Sequence, residues 1–261
     1  MSSLEDEFPD VISKAMLGHG IDTAILAAKT EATPAAITSL LDGEMDAPTV
    51  SLISPALGLG PAALISLPSY LPEPLAIEGI RRIEVPFGQW MVNAWLIEKD
   101  GTTLLFDTGH RPNDVFENLH GTSPEAVFIT HDHPDHIGGV DTLRKKGLTI
   151  INETEALNRE KFTYGSLTIT ATDLSGHKTP TAGYFIEGMG EKILISGDAI
   201  FAGSIGRCQN PAALQTAFDN LHRVLTQAGD DCIILPGHGP ATTVAQERAS
   251  NPFIATAKYL H

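Results

Sequence analysis

The feature that most constrains this chain is a run of potential metal ligands at 131–136, His-Asp-His-Pro-Asp-His, closed by Gly138 and Gly139. The apolar run 126–130 before it predicts a short buried strand, and 140–146 after it predicts a helix. The ligands are therefore expected on the loop that leaves the carboxyl end of a strand, where a rigid backbone can direct several side chains at one point. A purely structural cluster would pack histidines and carboxylates together with no apolar content to bury.

The spacing within this run predicts two metal positions. His131 and His133 alternate in an extended segment and can point the same way. Asp135 and His136 follow where the chain turns, and they can face a second point nearby. Two ions in a site of this kind lie about 3.5–4 Å apart and share a hydroxide between them.

The motif resembles that of the metallo-β-lactamase-fold hydrolases, in which His-x-His-x-Asp-His lies between a strand and a helix. Two later segments, 196–207 and 235–243, resemble the hydroxyacylglutathione hydrolase (glyoxalase II) branch of that superfamily, and in particular its short bacterial form. The resemblance covers about residue 80 to the C-terminus. It implies an α/β fold, an αββα sandwich, and this agrees with the strands that precede helices in both halves of the region.

Three later residues each follow an apolar, strand-like segment and extend the ligand set, namely His177, Asp198 and His238. The resemblance implies that the first metal is held by His131, His133 and His177. It implies that the second metal is held by Asp135, His136 and His238, with Asp198 bridging both metals. The carboxylates expected to take part in catalysis are Asp135 and Asp198.

This ligand set predicts two divalent metal ions per chain. Nitrogen and oxygen ligands without a thiolate suit zinc, the leading candidate, and also iron or manganese. The ions would lower the pKa of the shared water, and the resulting hydroxide would attack a carbonyl carbon. Asp107, which ends the apolar segment 104–106, is expected to accept a hydrogen bond from a ligand histidine. A structural role, as a turn-forming aspartate before Gly109, explains Asp107 equally well.

The predicted reaction is hydrolysis of a thioester, with a hydroxyacylglutathione-like compound as the leading substrate. Arg207 matches a basic substrate-side position of the family, Tyr184 falls in a familiar place, and Lys178 lies in the loop after His177. All three are expected to contact the substrate. That loop reads Lys-Thr-Pro-Thr where the family usually has Thr-Pro-Gly-Ser, so it departs from the family pattern. The alternatives are a lactone or ester hydrolase, a mononuclear-iron persulfide dioxygenase, and a DNA-binding regulator with a metal-binding sensor domain.

Composition limits the partners and the compartment. The net charge of −15 argues against nucleic acid, whose phosphates require a basic surface. No run approaches the roughly 18 apolar residues of a membrane span, and the acidic start at 1–7 is unlike a signal peptide. Two cysteines, Cys208 and Cys232, are too few for a disulfide framework. We therefore expect a cytoplasmic protein that acts on a small molecule.

The chain is predicted to form a helical domain at 1–67, a proline-rich linker at 68–79 and a hydrolase domain at 80–261. In length and apolar spacing, segment 20–67 resembles the helix-turn-helix domain of phage-repressor type, with 33–40 as its recognition helix. Residues 1–79 nevertheless carry eleven acidic and two basic residues, and 33–40 has no Arg, Lys, Asn or Gln to meet base edges. The helical domain is therefore expected to serve homodimerisation or to shape the catalytic entrance.

Overall fold

The computed structural model describes residues 4–256, so the first three residues of the acidic start and the last five of the predicted hydrolase domain lie outside the described residues. The helices are α1 (Phe8–His19), α2 (Thr23–Lys29), α3 (Pro34–Leu41), α4 (Ala47–Ile53), α5 (Pro61–Ser66), α6 (Asp114–Asn118), α7 (Pro134–Ile137), α8 (Val140–Lys145), α9 (Glu153–Arg159), α10 (Pro211–Ala228) and α11 (Val244–Ser250). The strands are β1 (Ile80–Phe87), β2 (Trp90–Lys99), β3 (Thr102–Phe106), β4 (Ala126–Phe128), β5 (Thr149–Ile151), β6 (Lys161–Tyr164), β7 (Leu167–Asp173), β8 (Ala182–Glu187), β9 (Ile193–Gly197), β10 (Ile200–Phe201), β11 (Ser204–Ile205), β12 (Ile233–Pro236) and β13 (Thr242–Thr243).

The first sheet follows the chain, in the order β1-β2-β3-β4-β5. Strands β1 to β3 pair antiparallel, and β3, β4 and β5 pair parallel. Asp100 and Gly101 connect β2 to β3, and both residues have positive φ, 50° and 87°. A two-residue turn of this kind matches the right-handed twist of a hairpin, and Asp-Gly is a sequence that favours it.

The second sheet has the order β13-β12-β9-β8-β7-β6, in which β9 and β12 run parallel. It packs face to face on the first sheet through a layer of aromatic rings. Phe128 stacks on Phe106 and meets Phe162 of the second sheet edge-on, with both pairs of ring centroids 5.2 Å apart. These rings lie at the centre of the sandwich. Burying each such side chain stabilises the fold by about 1.5–3 kcal/mol.

Helices cover the outer faces of both sheets, which confirms the αββα sandwich. Val115 of α6 and Leu143 of α8 pack on the first sheet. Along β8 and β9, Phe185 and Leu194 point away from the aromatic layer and pack against α10 and the N-terminal helices. This alternation follows from the two-residue period of a strand.

The N-terminal block, residues 4–69, is helical, as predicted. Three of its helices, α2, α3 and α4, begin where a short polar side chain accepts an amide of the first turn: Asp22 from Ile25, Thr33 from Ala36 and Asp46 from Thr49. Their apolar faces join α10 and the second sheet in one hydrophobic cluster. The division into three parts and the helix-turn-helix resemblance stay predictions. Within residues 4–256, no helix is both long and apolar enough to cross a membrane.

Glu247 of α11 ties the linker to the catalytic region. One carboxylate oxygen accepts hydrogen bonds from Tyr70 Oη and Thr242 Oγ1, both at 2.7 Å. The other accepts from the Gly203 amide at 2.8 Å and from Asn251 Nδ2 at 2.9 Å. Burial raises the pKa of Glu247, and these donors oppose that shift.

Strand ends of both sheets meet at one edge of the sandwich. Asp107 follows β3, His131 follows β4, Asp198 follows β9 and His238 follows β12. The carboxyl ends of parallel strands are the usual place for ligands in α/β proteins. Every predicted metal ligand except His177 lies in a segment that follows one of these strands.

Candidate metal centre

The predicted ligands come together as two groups at this edge. In each group, every residue offers one ligand atom that lies within 4.8 Å of the others. The first ligand group comprises His131, His133, His177 and Asp198. The second ligand group comprises Asp135, His136 and His238.

The imidazoles of the first ligand group face one another closely. His133 Nδ1 lies 3.1 Å from His131 Nε2 and 3.1 Å from His177 Nε2. Asp198 Oδ2 lies 3.8 Å from His131 Nε2 and 3.6 Å from His177 Nε2. Three nitrogens and one oxygen are thus arranged around a common point, as a cation requires.

Asp198 lies between the two ligand groups. Its Oδ1 is 3.2 Å from His136 Nε2, and its Oδ2 is 3.5 Å from His238 Nε2. Asp135 Oδ2 completes the second ligand group, 3.3 Å from His238 Nε2 and 3.8 Å from His136 Nε2. One carboxylate therefore faces ligand atoms of both groups.

Each of four imidazoles has its far nitrogen engaged outside the groups, which leaves Nε2 directed at the centre. The Nδ1 partners are Thr130 Oγ1 at 3.0 Å for His131, Asp107 Oδ2 at 2.8 Å for His136, Arg207 O at 2.8 Å for His177, and Met91 O at 2.8 Å for His238. A carbonyl or carboxylate can only accept, and the Thr130 hydroxyl gives its own proton to Asp107. Each partner therefore fixes the proton on Nδ1 and leaves a lone pair on Nε2. Histidines that bind metals have this arrangement.

The buried polar atoms at the centre fit a metal ion. His136 Nε2 and Asp198 Oδ1 have no hydrogen-bond partner among the described residues, although they lie only 3.2 Å apart. His136 is 0% exposed and Asp198 is 6% exposed, and leaving such groups unsatisfied is costly. A divalent cation that binds nitrogen and oxygen ligands would satisfy both atoms.

The charges of the site attract positive charge to its centre. Burial alone would lower the pKa of His136, but the carboxylates of Asp198 and Asp107 outweigh it and raise that pKa to about 10. Burial alone would raise the pKa of Asp198, but His238 and His136 hold it well below its usual range. His131 differs, because burial and the neighbouring His136 lower its pKa.

Asp107 connects the two ligand groups from behind. Its Oδ1 accepts the Thr130 amide at 2.8 Å, and its Oδ2 accepts the Thr130 hydroxyl at 2.8 Å as well as His136 Nδ1. Asp107 has φ of 60°, a left-handed conformation that aspartate tolerates better than most residues. The side chain thus reaches His136 directly and His131 through Thr130.

Two glycines allow the backbone to approach the ligands. A Cβ at Gly237 would lie 2.2 Å from Asp198 Oδ1 and 2.8 Å from His136 Cε1. A Cβ at Gly138, in the Gly-Gly pair that closes the motif, would lie 1.8 Å from His110 O. Neither contact is possible, so a side chain at either position would displace the loops that carry the ligands.

The residues expected to contact substrate are placed differently from one another. Lys178 lies at the surface, where Nζ is 3.0 Å from Asp132 Oδ1. Arg207 has an exposed side chain, and its carbonyl holds His177. Tyr184 is 0% exposed and its hydroxyl donates to Ile129 O. That position does not fit the expected substrate contact, because the ring packs in the aromatic layer below the loop of ligands.

Glu5 is a site residue that the sequence did not indicate. Its Oε2 lies 3.7 Å from His238 Nδ1, and burial raises the pKa of Glu5 to about 7. Beside it, a cavity of about 1040 Å³ lies between the N-terminal block and the turn that joins β1 to β2. Its lining includes Glu5, Tyr70, Arg82, Trp90 and Gly239.

Comparison with known proteins gives consistent matches over the catalytic region. The family model of the Metallo-beta-lactamase superfamily matches residues 87–150. A probable metallo-hydrolase, YqgX of Bacillus subtilis (strain 168), is 26% identical over 65% of this chain and 95% of its own length. Hydroxyacylglutathione hydrolase GloC of Haemophilus influenzae is 30% identical over 65% of this chain and 96% of its own length.

A solved structure supports the same relationship. The crystal structure of TTHA1623 in a di-iron-bound form is 27% identical, covers 65% of this chain and 98% of its own, and superposes with a TM-score of 0.52. The matches in sequence and fold, together with the His and Asp groups, show that this chain belongs to the metallo-beta-lactamase superfamily.

Proposed function

We propose that this protein is a metal-dependent hydrolase that holds two divalent ions and cleaves a thioester, with a hydroxyacylglutathione-like compound as its leading substrate. The observation that carries the proposal is the position of Asp198, whose two oxygens face ligand atoms of both groups. The relative named hydroxyacylglutathione hydrolase supports the substrate class. Zinc is the leading metal, and the di-iron form of TTHA1623 supports iron as the alternative.

Divalent ions, when bound, lower the pKa of water and polarise a carbonyl oxygen, which is the chemistry that hydrolysis of an acyl compound needs. The chain's own residues prepare the site for that chemistry. Asp198 supplies negative charge between the ligand groups, and the Nδ1 hydrogen bonds hold four imidazoles with Nε2 directed inward. Burial of His131 and His136 keeps competing water from these ligands.

The exposed side of the first ligand group is where we propose that the substrate binds. His133 and His177 are partly exposed, and Arg207 and Lys178 lie next to His177 in sequence or in space. Arginine and lysine bind carboxylates through charge-assisted hydrogen bonds, and glutathione carries two carboxylates. The net charge of −15 argues against nucleic acid as the substrate.

The experiment is a substrate panel on purified protein loaded with zinc or with iron. S-D-lactoylglutathione, a simple thioester, a lactone and glutathione persulfide would be compared at equal protein concentration. We expect the thioesters to be hydrolysed fastest, with about two metals per chain by elemental analysis. Faster turnover of the lactone, or oxygen consumption with the persulfide by a one-iron protein, would replace this proposal with one of the alternatives.

A further inference from the structure

The segment that precedes α1 lies against the loop that carries His238. A Cβ at Gly239 would lie 3.3 Å from the Glu5 amide nitrogen, so the two backbones are in near contact. The Glu5 side chain is 17% exposed and reaches to 3.7 Å from His238 Nδ1. A carboxylate from the N-terminal block is therefore placed behind a ligand of the second ligand group.

A buried ion pair holds this segment in place. Asp6 pairs with Lys14 of α1, and the two side chains are 9% and 8% exposed. Lys14 Nζ also donates to Ile205 O at 2.9 Å and lies 5.1 Å from the ring centroid of Phe201. Removing one partner of a buried pair is costly. The pair therefore holds the segment that carries Glu5 against the catalytic region.

The same contacts lead from the ion pair to the metal centre. The Phe201 ring stands edge-on to His238, with centroids 5.7 Å apart. His238 Nδ1 already donates to Met91 O at 2.8 Å. Glu5 is beyond hydrogen-bond distance, so its effect on the ring is electrostatic. Negative charge on the Nδ1 side increases the electron density that Nε2 can give to a cation.

We propose that Glu5 is a positioning residue for His238, so that the N-terminal block is a working part of the metal centre. The proposal rests on the metal binding proposed above. It goes beyond the family resemblance, which begins at about residue 80, whereas Glu5 lies in the N-terminal block. Loss of an outer partner of a metal-bound histidine lowers metal affinity by about 10–100-fold, and the longer distance here favours the lower end of that range.

The test compares full-length Glu5→Gln with Glu31→Gln, which makes the same change at an exposed glutamate of the same block. Zinc affinity would be measured at pH 8 by competition with a chromophoric chelator, and cobalt binding by its visible absorption. We expect Glu5→Gln to weaken one of two zinc equivalents about 10-fold and to change the cobalt spectrum. The metal-free variant should unfold at the wild-type temperature, and Glu31→Gln should match the wild type throughout.

A second variant, Lys14→Met, tests the anchor and should weaken the same equivalent. Wild-type zinc affinity and an unchanged cobalt spectrum in Glu5→Gln would overturn the proposal, as would a wild-type protein that binds no metal. The outcome is separate from the proposed function. A protein that binds zinc in a Glu5-dependent way but hydrolyses no thioester would support Glu5 and refute the thioesterase.

Discussion

The two ligand groups differ in their surroundings, although they share Asp198. In the first ligand group, His133 and His177 are partly exposed, and the outer partners are the Thr130 hydroxyl and the Arg207 carbonyl. In the second ligand group all three residues are buried, and two carboxylates, Asp107 and Glu5, lie behind its histidines. We infer that the second position binds its ion more tightly and exchanges it more slowly. Under the proposed function, the first position is then the one expected to meet the substrate.

The largest effect should come from the residue that the two groups share. Asp198→Asn keeps the size of the side chain but removes the charge that would offset repulsion between two cations. We expect metal content to fall at both positions and hydrolysis to drop by about three orders of magnitude or more, because the proposed nucleophile is metal-activated water. Elemental analysis and initial rates measure this.

Asp141→Asn is the matched control, since it makes the same change at a side chain that is 82% exposed. Near-full hydrolysis with two bound metals in Asp198→Asn would mean that the two groups act independently of their shared carboxylate.

The next effect separates the groups. Asp107→Asn should preserve the backbone, because asparagine also tolerates positive φ, but it weakens the acceptor for His136 and disturbs Thr130. We expect metal affinity to fall by about 10–100-fold at both positions. Thr130→Val removes the hydroxyl that holds His131 Nδ1, whereas Asp107 keeps both the Thr130 amide and His136, so affinity should fall more at the first position than at the second. Metal titrations followed by cobalt absorption distinguish the two; equal effects at both positions from Thr130→Val would remove the distinction drawn between the groups.

A smaller effect concerns Glu247, the buried carboxylate that ties the linker to the catalytic region. Because burial raises the pKa of Glu247 above its ordinary value of 4.5, this carboxyl group binds a proton more tightly in the folded chain than in the unfolded chain. The free energy of unfolding of the protein should therefore fall as the pH rises from 4.5 through the folded pKa. Glu247→Gln stays neutral and can still pair with Tyr70 and Asn251. Relative to the wild type, the variant should gain stability over that range.

Urea unfolding of the metal-free proteins at several pH values measures this difference. Glu247→Ala serves as the contrast, because it loses all four hydrogen bonds and should be less stable at every pH. A constant difference between Glu247→Gln and the wild type would show that Glu247 is ionised in the folded protein.

The smallest effect on stability lies at the rim of the first ligand group. Lys178 and Asp132 form a surface ion pair with side chains 35% and 54% exposed, and such pairs contribute about 0–1 kcal/mol. Lys178→Ala and Asp132→Ala should therefore unfold almost as the wild type does. If Lys178 also binds a substrate carboxylate, only Lys178→Ala should raise KM. Equal KM values in both variants would mean that Lys178 does not bind the substrate and acts only in the surface ion pair.

Much of the fold follows from local sequence, because capping residues, glycines and apolar periodicity act over a few neighbours. The helices of the N-terminal block and the hairpin at Asp100 and Gly101 were predictable in this way. The two-residue strands β10, β11 and β13 were not predicted, since two residues give no pattern to recognise, and β6 was missed as well. Helix α9 was also missed, although Asn152 accepts the Glu155 amide as a cap.

The residues of the candidate site likewise divide into those with a local sequence signal and those without one. Ligand side chains carry recognisable chemistry, and they were assigned by motif and by strand ends. The sequence gives no signal for the Met91 carbonyl that holds His238, because every residue has a backbone carbonyl. Tyr184 lies in β8, whose inner residues are buried on both faces, so no alternation shows which way a side chain points. Glu5 reaches His238 only through tertiary packing.

The absence of a side chain at Gly237 also limits how this protein can evolve. A single methyl group there would lie 2.2 Å from Asp198 Oδ1, so even alanine, the mildest replacement, would push into the carboxylate that both groups share. In a saturation library selected for metal binding, we expect only glycine codons to be recovered at position 237. Neighbouring surface positions such as Asp141 should accept most substitutions. Selection for a new substrate would therefore have to work through the rim, while this loop stays invariant.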